Sequence, residues 1–142
     1  MLCVLLSISI SHAQNMVVIV GVNSPVKQLS LARFKRIFLG KERLTEQGRR
    51  WIPINLGATH PLRQAIRKQV VQKSTFNLEQ YWNQQYFNGI SPPYVLASEE
   101  AILRFVADTP NAIAYIAACH RDKRVKTVYS FKIRPAIAGL CR

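Results

Sequence analysis

Acidic side chains are few for a chain of this size. Seven Asp and Glu stand against 20 Lys and Arg, for a formal net charge of +13 over 142 residues. Few carboxylates leave little material for paired acid–base chemistry or an oxygen-lined metal cage. Histidine is scarce as well, confined to His12, His60 and His120. Cysteine occurs three times and never as Cys-x-x-Cys, and Cys119 and His120 are merely neighbours, so no spacing suits a metal. A nucleophile elbow and a glycine-rich phosphate loop are both missing. Apolar runs stay short of the roughly 20 residues needed to cross a bilayer. Repeats and low-complexity stretches are also absent. These gaps argue against an enzyme, a metal site, a cofactor and stable membrane insertion.

What is present describes an ordinary folded domain. Hydrophobic residues make up 49% and charged residues 19%, which suits a globular chain with its own core. Its length fits one domain. The basic residues are scattered, as Arg33, Lys35, Arg36, Arg49, Arg50, Arg63, Arg67, Lys68, Arg121, Lys123, Arg124 and Lys126 illustrate. They form neither a block of like charge nor a basic amphipathic helix. The surface attracts anions in general, and nucleic acid is not an expected partner.

Residues 1–13 read as a secretory leader. Leu2 to Ile10 is apolar and uncharged, and Ser11-His12-Ala13 puts small residues where a signal peptidase cuts. The stretch is short and lacks a leading basic residue, as a truncated leader would; the other reading is an extra buried strand. Export would leave residues 14–142 as one domain, with Cys119 and Cys141 as its cysteines. In an oxidising compartment the two can close a loop, or they remain two separate buried thiols.

Met16 to Val22 is a nearly continuous apolar run rich in β-branched residues, as in a strand covered on both faces. Ser30 caps a helix whose buried face holds Leu31, Phe34, Ile37 and Phe38, with Leu29 as staple and Gly40 as the C-terminal stop. Lys41 to Arg50 is a charged loop turning at Gly48. Trp51 to Leu56 gives a strand, with Pro53 at an edge or strand end. Thr59 or His60 caps a helix that has Pro61 in its first turn. Asn77 starts a third helix, with Gln80 as capping-box partner, Phe76 and Tyr81 as staple, and Gly89 as stop. Ser91-Pro92-Pro93 crosses over, and Ser98 caps a fourth helix over Ile102, Leu103, Phe105 and Val106. Ala112 to Ala117 and Val125 to Ile133 are strands, the last half-exposed. The alternation gives an α/β domain, a three-layer sheet with flanking helices.

Two loops leave strands for helices, Asn23-Ser24-Pro25 and Gly57-Ala58-Thr59-His60. Loops beyond strand ends, with helix N-termini behind them, offer free amides to an oxyanion. Ser24 and Thr59 can add hydroxyls or do plain turn and cap duty. Arg63 can add a bidentate guanidinium or be a surface arginine.

The wording of several segments resembles the periplasmic phosphate-binding proteins, the solute receptors of phosphate uptake transporters. Leu29-Ser30-Leu31 leading to Ile37-Phe38-Leu39-Gly40-Lys41 is similar to that family's Ile-Phe-x-Gly helix. Val17 to Val20 followed by Asn23, Trp51-Ile52-Pro53-Ile54, Tyr81-Trp82 with Phe87-Asn88-Gly89, and Val106 with Pro110-Asn111-Ala112-Ile113-Ala114-Tyr115 extend the likeness to about Ile116. The resemblance implies one lobe of a type II periplasmic binding protein, because a full receptor has two lobes and about twice this length. The family's Ser-Gly-Thr anion loop stands here as Gly57-Ala58-Thr59, without the arginine that precedes it, so only Thr59 carries over directly.

The expected function is non-catalytic, periplasmic binding of phosphate or a related oxyanion for uptake or sensing. Asn23, Ser24, Gly57, Thr59 and Arg63 would form the site. An ABC transporter permease or an envelope sensor would be the partner, and a second subunit would supply the opposite wall. The alternative is an envelope protein-interaction module that has lost its solute, with Tyr81, Trp82 and Tyr86 as its surface.

Overall fold

The computed structural model describes residues 14–141, so the expected leader lies outside the described residues. Strands and helices alternate along them: β1 (Asn15–Gly21), α1 (Leu31–Phe38), β2 (Ile52–Leu56), α2 (Pro61–Ile66), α3 (Thr75–Phe87), β3 (Tyr94–Leu96), α4 (Glu99–Asp108), β4 (Ala112–Ala117) and β5 (Val125–Lys132). A π-helical turn at Arg67–Val71 continues α2, and a short 3-10 turn at Ala118–His120 follows β4. The strands form one open sheet in the order β3-β2-β4-β1-β5. β2 runs parallel to β3 and β4, whereas β1 runs antiparallel to β4 and β5.

All six residues of β4 and Met16–Val20 of β1 are buried, so both faces at the sheet's centre are covered. That is why these strands read as unbroken apolar runs. On the Tyr115 face, Phe34 and Phe38 stack with ring centroids 4.5 Å apart and sit 6.4 and 5.9 Å from the Tyr115 ring. Helix α4 buries Ile102, Leu103 and Val106 and packs on β4 and β1. It comes so close that a Cβ on Gly21 would lie 3.1 Å from the Val106 carbonyl oxygen.

Helix α1 ends as its letters imply. Ser30 Oγ accepts the Arg33 amide at 3.2 Å. Beyond Phe38, Gly40 takes φ +70°, its amide bonds Ile37 O at 3.1 Å, and Lys41 N donates to Arg36 O at 2.8 Å. These bonds make up a Schellman motif, which satisfies carbonyls that the helix end would orphan.

Three local expectations are corrected. Helix α3 begins at Thr75, capped by Ser74 and not Asn77, and Phe76 is 66% exposed instead of stapled. Residues 94–96 form β3, an edge strand that its brevity and neighbouring prolines hide from pattern reading. Strand β2 is interior, and Pro53 lies near its start as one of the two expected placements has it, pairing only toward β4, ahead of the β3 pairing that starts at Ile54. In β5 the register slips opposite Val18 and Ile19, which buries Val128 and breaks the simple alternation. The bulged Val128 carbonyl accepts the Leu29 amide at 3.0 Å and so fixes the approach to α1.

Cys119 and Cys141 are bonded, with Cα atoms 5.9 Å apart. The bridge ties the tail to the turn just after β4.

Candidate functional site

Strand direction decides which predicted residues can meet. Met16 pairs with Ala117 in β1–β4, while Ile52 pairs with Ala112 in β2–β4. The Asn23–Ser24 loop therefore leaves the sheet at the Ala112 end, and the Gly57–His60 loop leaves it at the Ala117 end. At ~3.3 Å per residue the two ends lie about 17 Å apart, too far for one small anion. Asn23 and Ser24 cannot share a site with Gly57, Thr59 and Arg63. Ser24 instead shapes its own turn: Oγ accepts the Val26 amide at 3.2 Å, and its carbonyl accepts Lys126 Nζ at 2.6 Å. The sequence hides this because an antiparallel neighbour cannot be told from a parallel one by composition.

At the Ala117 end the loop is tightly organised. His60 N donates to Gly57 O at 2.9 Å, and His60 Nδ1 accepts the Leu62 amide at 3.1 Å. His60 is therefore the cap, with Pro61 in the first turn. Thr59 is left exposed, and its hydroxyl has no partner among the described residues. Arg63 reaches back from α2 to donate Nη1 to Leu56 O at 2.6 Å, and Gln64 donates to Ala58 O.

Beneath the loop lies a buried polar chain. Leu56 N donates to Tyr115 Oη at 3.4 Å, and Tyr115 Oη donates to Asn55 Oδ1 at 2.7 Å. Burial holds the Tyr115 hydroxyl well above an ordinary phenol, against the opposing pulls of the Leu56 amide and the Arg63 charge. It therefore stays protonated and keeps donating. Strand end, loop and Arg63 are anchored to the core through this chain.

Two surfaces flank the loop with opposite character. On one side Arg63 and Arg67 line a groove of about 380 Å³ with Gln64, Thr75 and Trp82. Arg67 is held by Gln64 Oε1 at 3.0 Å and Lys73 O at 3.0 Å. Neither arginine makes an ion pair among the described residues, and Glu79 is the one acid in the lining. Arg67 had a sequence signal, since it follows Arg63 at helical spacing.

On the other side a hollow of about 480 Å³ is lined by Glu99, Glu100 and Asp122 with His60 and His120. Glu99 accepts the Ala117 amide at 2.7 Å and faces His120 Nδ1 at 2.8 Å. Glu100 takes a two-pronged bond from Arg124 at 2.8 and 3.0 Å. Arg124 also holds Asp122 down at about 2. The acids thus sit on the α4 side of the loop, and the arginines without ion pairs sit on the other.

No protein-family model matches the chain. No curated protein sequence matches it either. Solved structures do match in fold. An ABC-type phosphate transport receptor from Vibrio cholerae superposes with a TM-score of 0.66 at 15% identity, over 81% of this chain and 45% of that one. A phosphate ABC transporter substrate-binding protein from Clostridium perfringens, solved with bound phosphate, gives 0.68 at 21% identity, over 81% and 44%. PstS from Borrelia burgdorferi gives 0.60 at 15% identity, over 76% and 42%. The described residues have the fold of part of these receptors, and the chain spans less than half of each. Among the described residues no helix is long and apolar enough to cross a membrane.

Proposed function

We propose that this chain is a non-catalytic, exported binding domain that takes phosphate or a related oxyanion at the Gly57–Arg63 end of the sheet. The observation that carries this is Arg63. Its guanidinium spends one nitrogen on Leu56 O and has donors left over, beside Arg67 and a loop that ends a parallel strand. Thr59 adds an unengaged hydroxyl, and Gly57 lets a ligand approach the backbone. The receptors of like fold are phosphate-transport proteins, which supports the same class of solute here. Periplasmic export is in keeping with the Cys119–Cys141 bridge, a bond that persists in oxidising compartments. The receptors of like fold serve ABC transporters, which supports an envelope partner such as a transporter permease here, and a second subunit would supply an opposite wall.

Calorimetric titration of the purified protein with phosphate, sulfate as control, tests this reading. Saturable phosphate binding that weakens at least about tenfold in Arg63→Ala is the expected result, since one charged hydrogen bond lost is worth about 1.5–3 kcal/mol. No heat at millimolar phosphate would sink it.

One observation favours a second reading, an envelope protein-interaction module. Phe76, Tyr86 and Phe87 are 66%, 74% and 87% exposed on α3. Tyr81 and Trp82, by contrast, are half-buried against the core.

A further inference from the structure

The opposite end of the sheet carries a second concave surface that the phosphate reading does not use. A cleft of about 730 Å³ opens beside Ile52, Pro53 and Asn111, where β2 and β4 begin. One wall is basic. Trp51 N donates to Arg43 O at 3.0 Å, Leu44 bridges Arg50 in antiparallel fashion, and Gly48 turns the chain at φ +77°. This small hairpin brings Arg43, Arg49 and Arg50 to the lining of the cleft. None of the three guanidiniums has an acidic or hydrogen-bonding partner among the described residues. Glu42, the acid in the lining, is already held by Arg33 and Arg36.

Trp51 lines the cleft and is 7% exposed, which makes it a reporter of what binds there. A further observation points to an occupant. The other wall, Ile90, Pro92, Pro93 and Tyr94, is apolar and would stay unused by a bare inorganic anion. From Tyr94 the wall continues into β3, the sheet edge, where Tyr94 and Val95 are 69% and 57% exposed and one side of the backbone is unpaired.

We propose that this cleft docks an extended acidic peptide segment of a partner protein. Its carboxylates would meet Arg43, Arg49 and Arg50 in the two-pronged geometry guanidinium favours. Its apolar side chains would lie on Ile90 and Tyr94, and its backbone would add to the β3 edge. Charge complementarity selects the occupant: a chain of net charge +13 presents its unpaired arginines beside an open strand edge. The site is independent of the Gly57–Arg63 loop, so either can fail alone.

The chain has two tryptophans, so Trp82→Phe in the full-length protein leaves Trp51 as the sole reporter. Its fluorescence is titrated with the acetylated peptide Glu-Glu-Leu-Glu-Glu and with Gln-Gln-Leu-Gln-Gln as uncharged control. The expected result is a saturable change with the acidic peptide alone. It should weaken about tenfold when Arg43, Arg49 and Arg50 are all changed to Gln. These side chains are exposed, so folding is spared, and circular dichroism checks it. Arg63→Ala should leave the titration unchanged. No response, or one that survives the triple change, overturns the proposal. Equal binding of inorganic tripolyphosphate also overturns it, because that describes a general polyanion patch.

Discussion

Helix α1 has eight residues and buries Phe34, Ile37 and Phe38, whereas α3 has 13 residues and buries none. Both are capped by a serine, Ser30 and Ser74, and both end in a positive-φ glycine, Gly40 and Gly89. Their end signals are equivalent, so the difference lies in spacing. In α1 the apolar residues stay within one side of the helix at about 100° per residue. In α3 the aromatics fall at Phe76, Tyr81, Trp82, Tyr86 and Phe87, and steps of one and five spread them around the whole circumference. End signals make a helix, and only a consistent face makes it core. Helix α3 is accordingly held at a few points. Tyr81 donates to the Leu39 carbonyl, and Trp82 and Ile90 abut Gly40.

The largest test of this contrast is Phe34→Ala. Phe34 is fully buried between Phe38 and Tyr115, so a cavity there should cost about 3–5 kcal/mol in urea unfolding. If the loss is under about 1 kcal/mol, α1 is not the core helix described.

Gly40→Ala comes next, at about 2 kcal/mol. The residue sits at φ +70°, which strains any side chain, and an added Cβ would lie 2.7 Å from Ile90 Cγ2. The Ile90→Ala background should recover part of that loss and leave the backbone strain. Equal losses in both backgrounds would show that α3 does not press on the end of α1.

That position also marks what could be read without a structure. The Phe38-Leu39-Gly40-Lys41 string was legible as a helix stop. Its second role, room for Ile90, depends on a chain segment fifty residues on. The same holds elsewhere. Strand β4 and helices α1 and α4 were legible, because caps and apolar faces are local; Cys119 and Cys141 could be counted as the one available pair, but whether they were bonded stayed open. Strand β3 and the Val128 bulge were not, since three residues beside two prolines carry no period and a bulge is defined by its partner strand. For the site, Gly57, Thr59 and Arg63 were legible as one loop and its helix. Asn23 and Ser24 joined them only on the assumption that both loops leave the sheet at one end. The direction of β1 refutes that assumption, and direction is a property of pairing.

Tyr81→Phe removes one hydrogen bond to a carbonyl at the α1 terminus and should cost about 1 kcal/mol. Retained α1 packing with a loosened α3, seen as faster amide exchange in residues 75–87, would confirm that α3 hangs on this contact. Unchanged exchange would assign its attachment to the packing of Leu78 and Trp82.

A smaller effect should appear with acid. Burial raises the Glu42 pKa, but the bonds from Arg33 at 2.9 Å and Arg36 at 3.2 Å outweigh it, and the carboxyl ends below its ordinary 4.5. Its stabilisation is therefore present above pH 4.5 and lost as pH falls through the lowered folded-state value. Glu42→Gln should flatten that part of the stability-versus-pH curve while changing neutral-pH stability by about 1 kcal/mol or less. A curve of unchanged slope would show that the clamp at the end of α1 is not tightened by charge.

The smallest effect separates the helices most cleanly. Phe87 is 87% exposed and makes its ring contact with Tyr86, at 5.9 Å between centroids, within its own helix. Phe87→Ser removes no core contact, so stability should move by less than about 0.5 kcal/mol, against several for Phe34. A loss above about 1.5 kcal/mol would mean that α3 packs on something within the chain and that the contrast with α1 is false. If stability holds while self-association or partner binding falls, the exposed aromatics serve an interface. Exposure at that scale, on a helix that the core does not need, is then explained by a surface outside this chain.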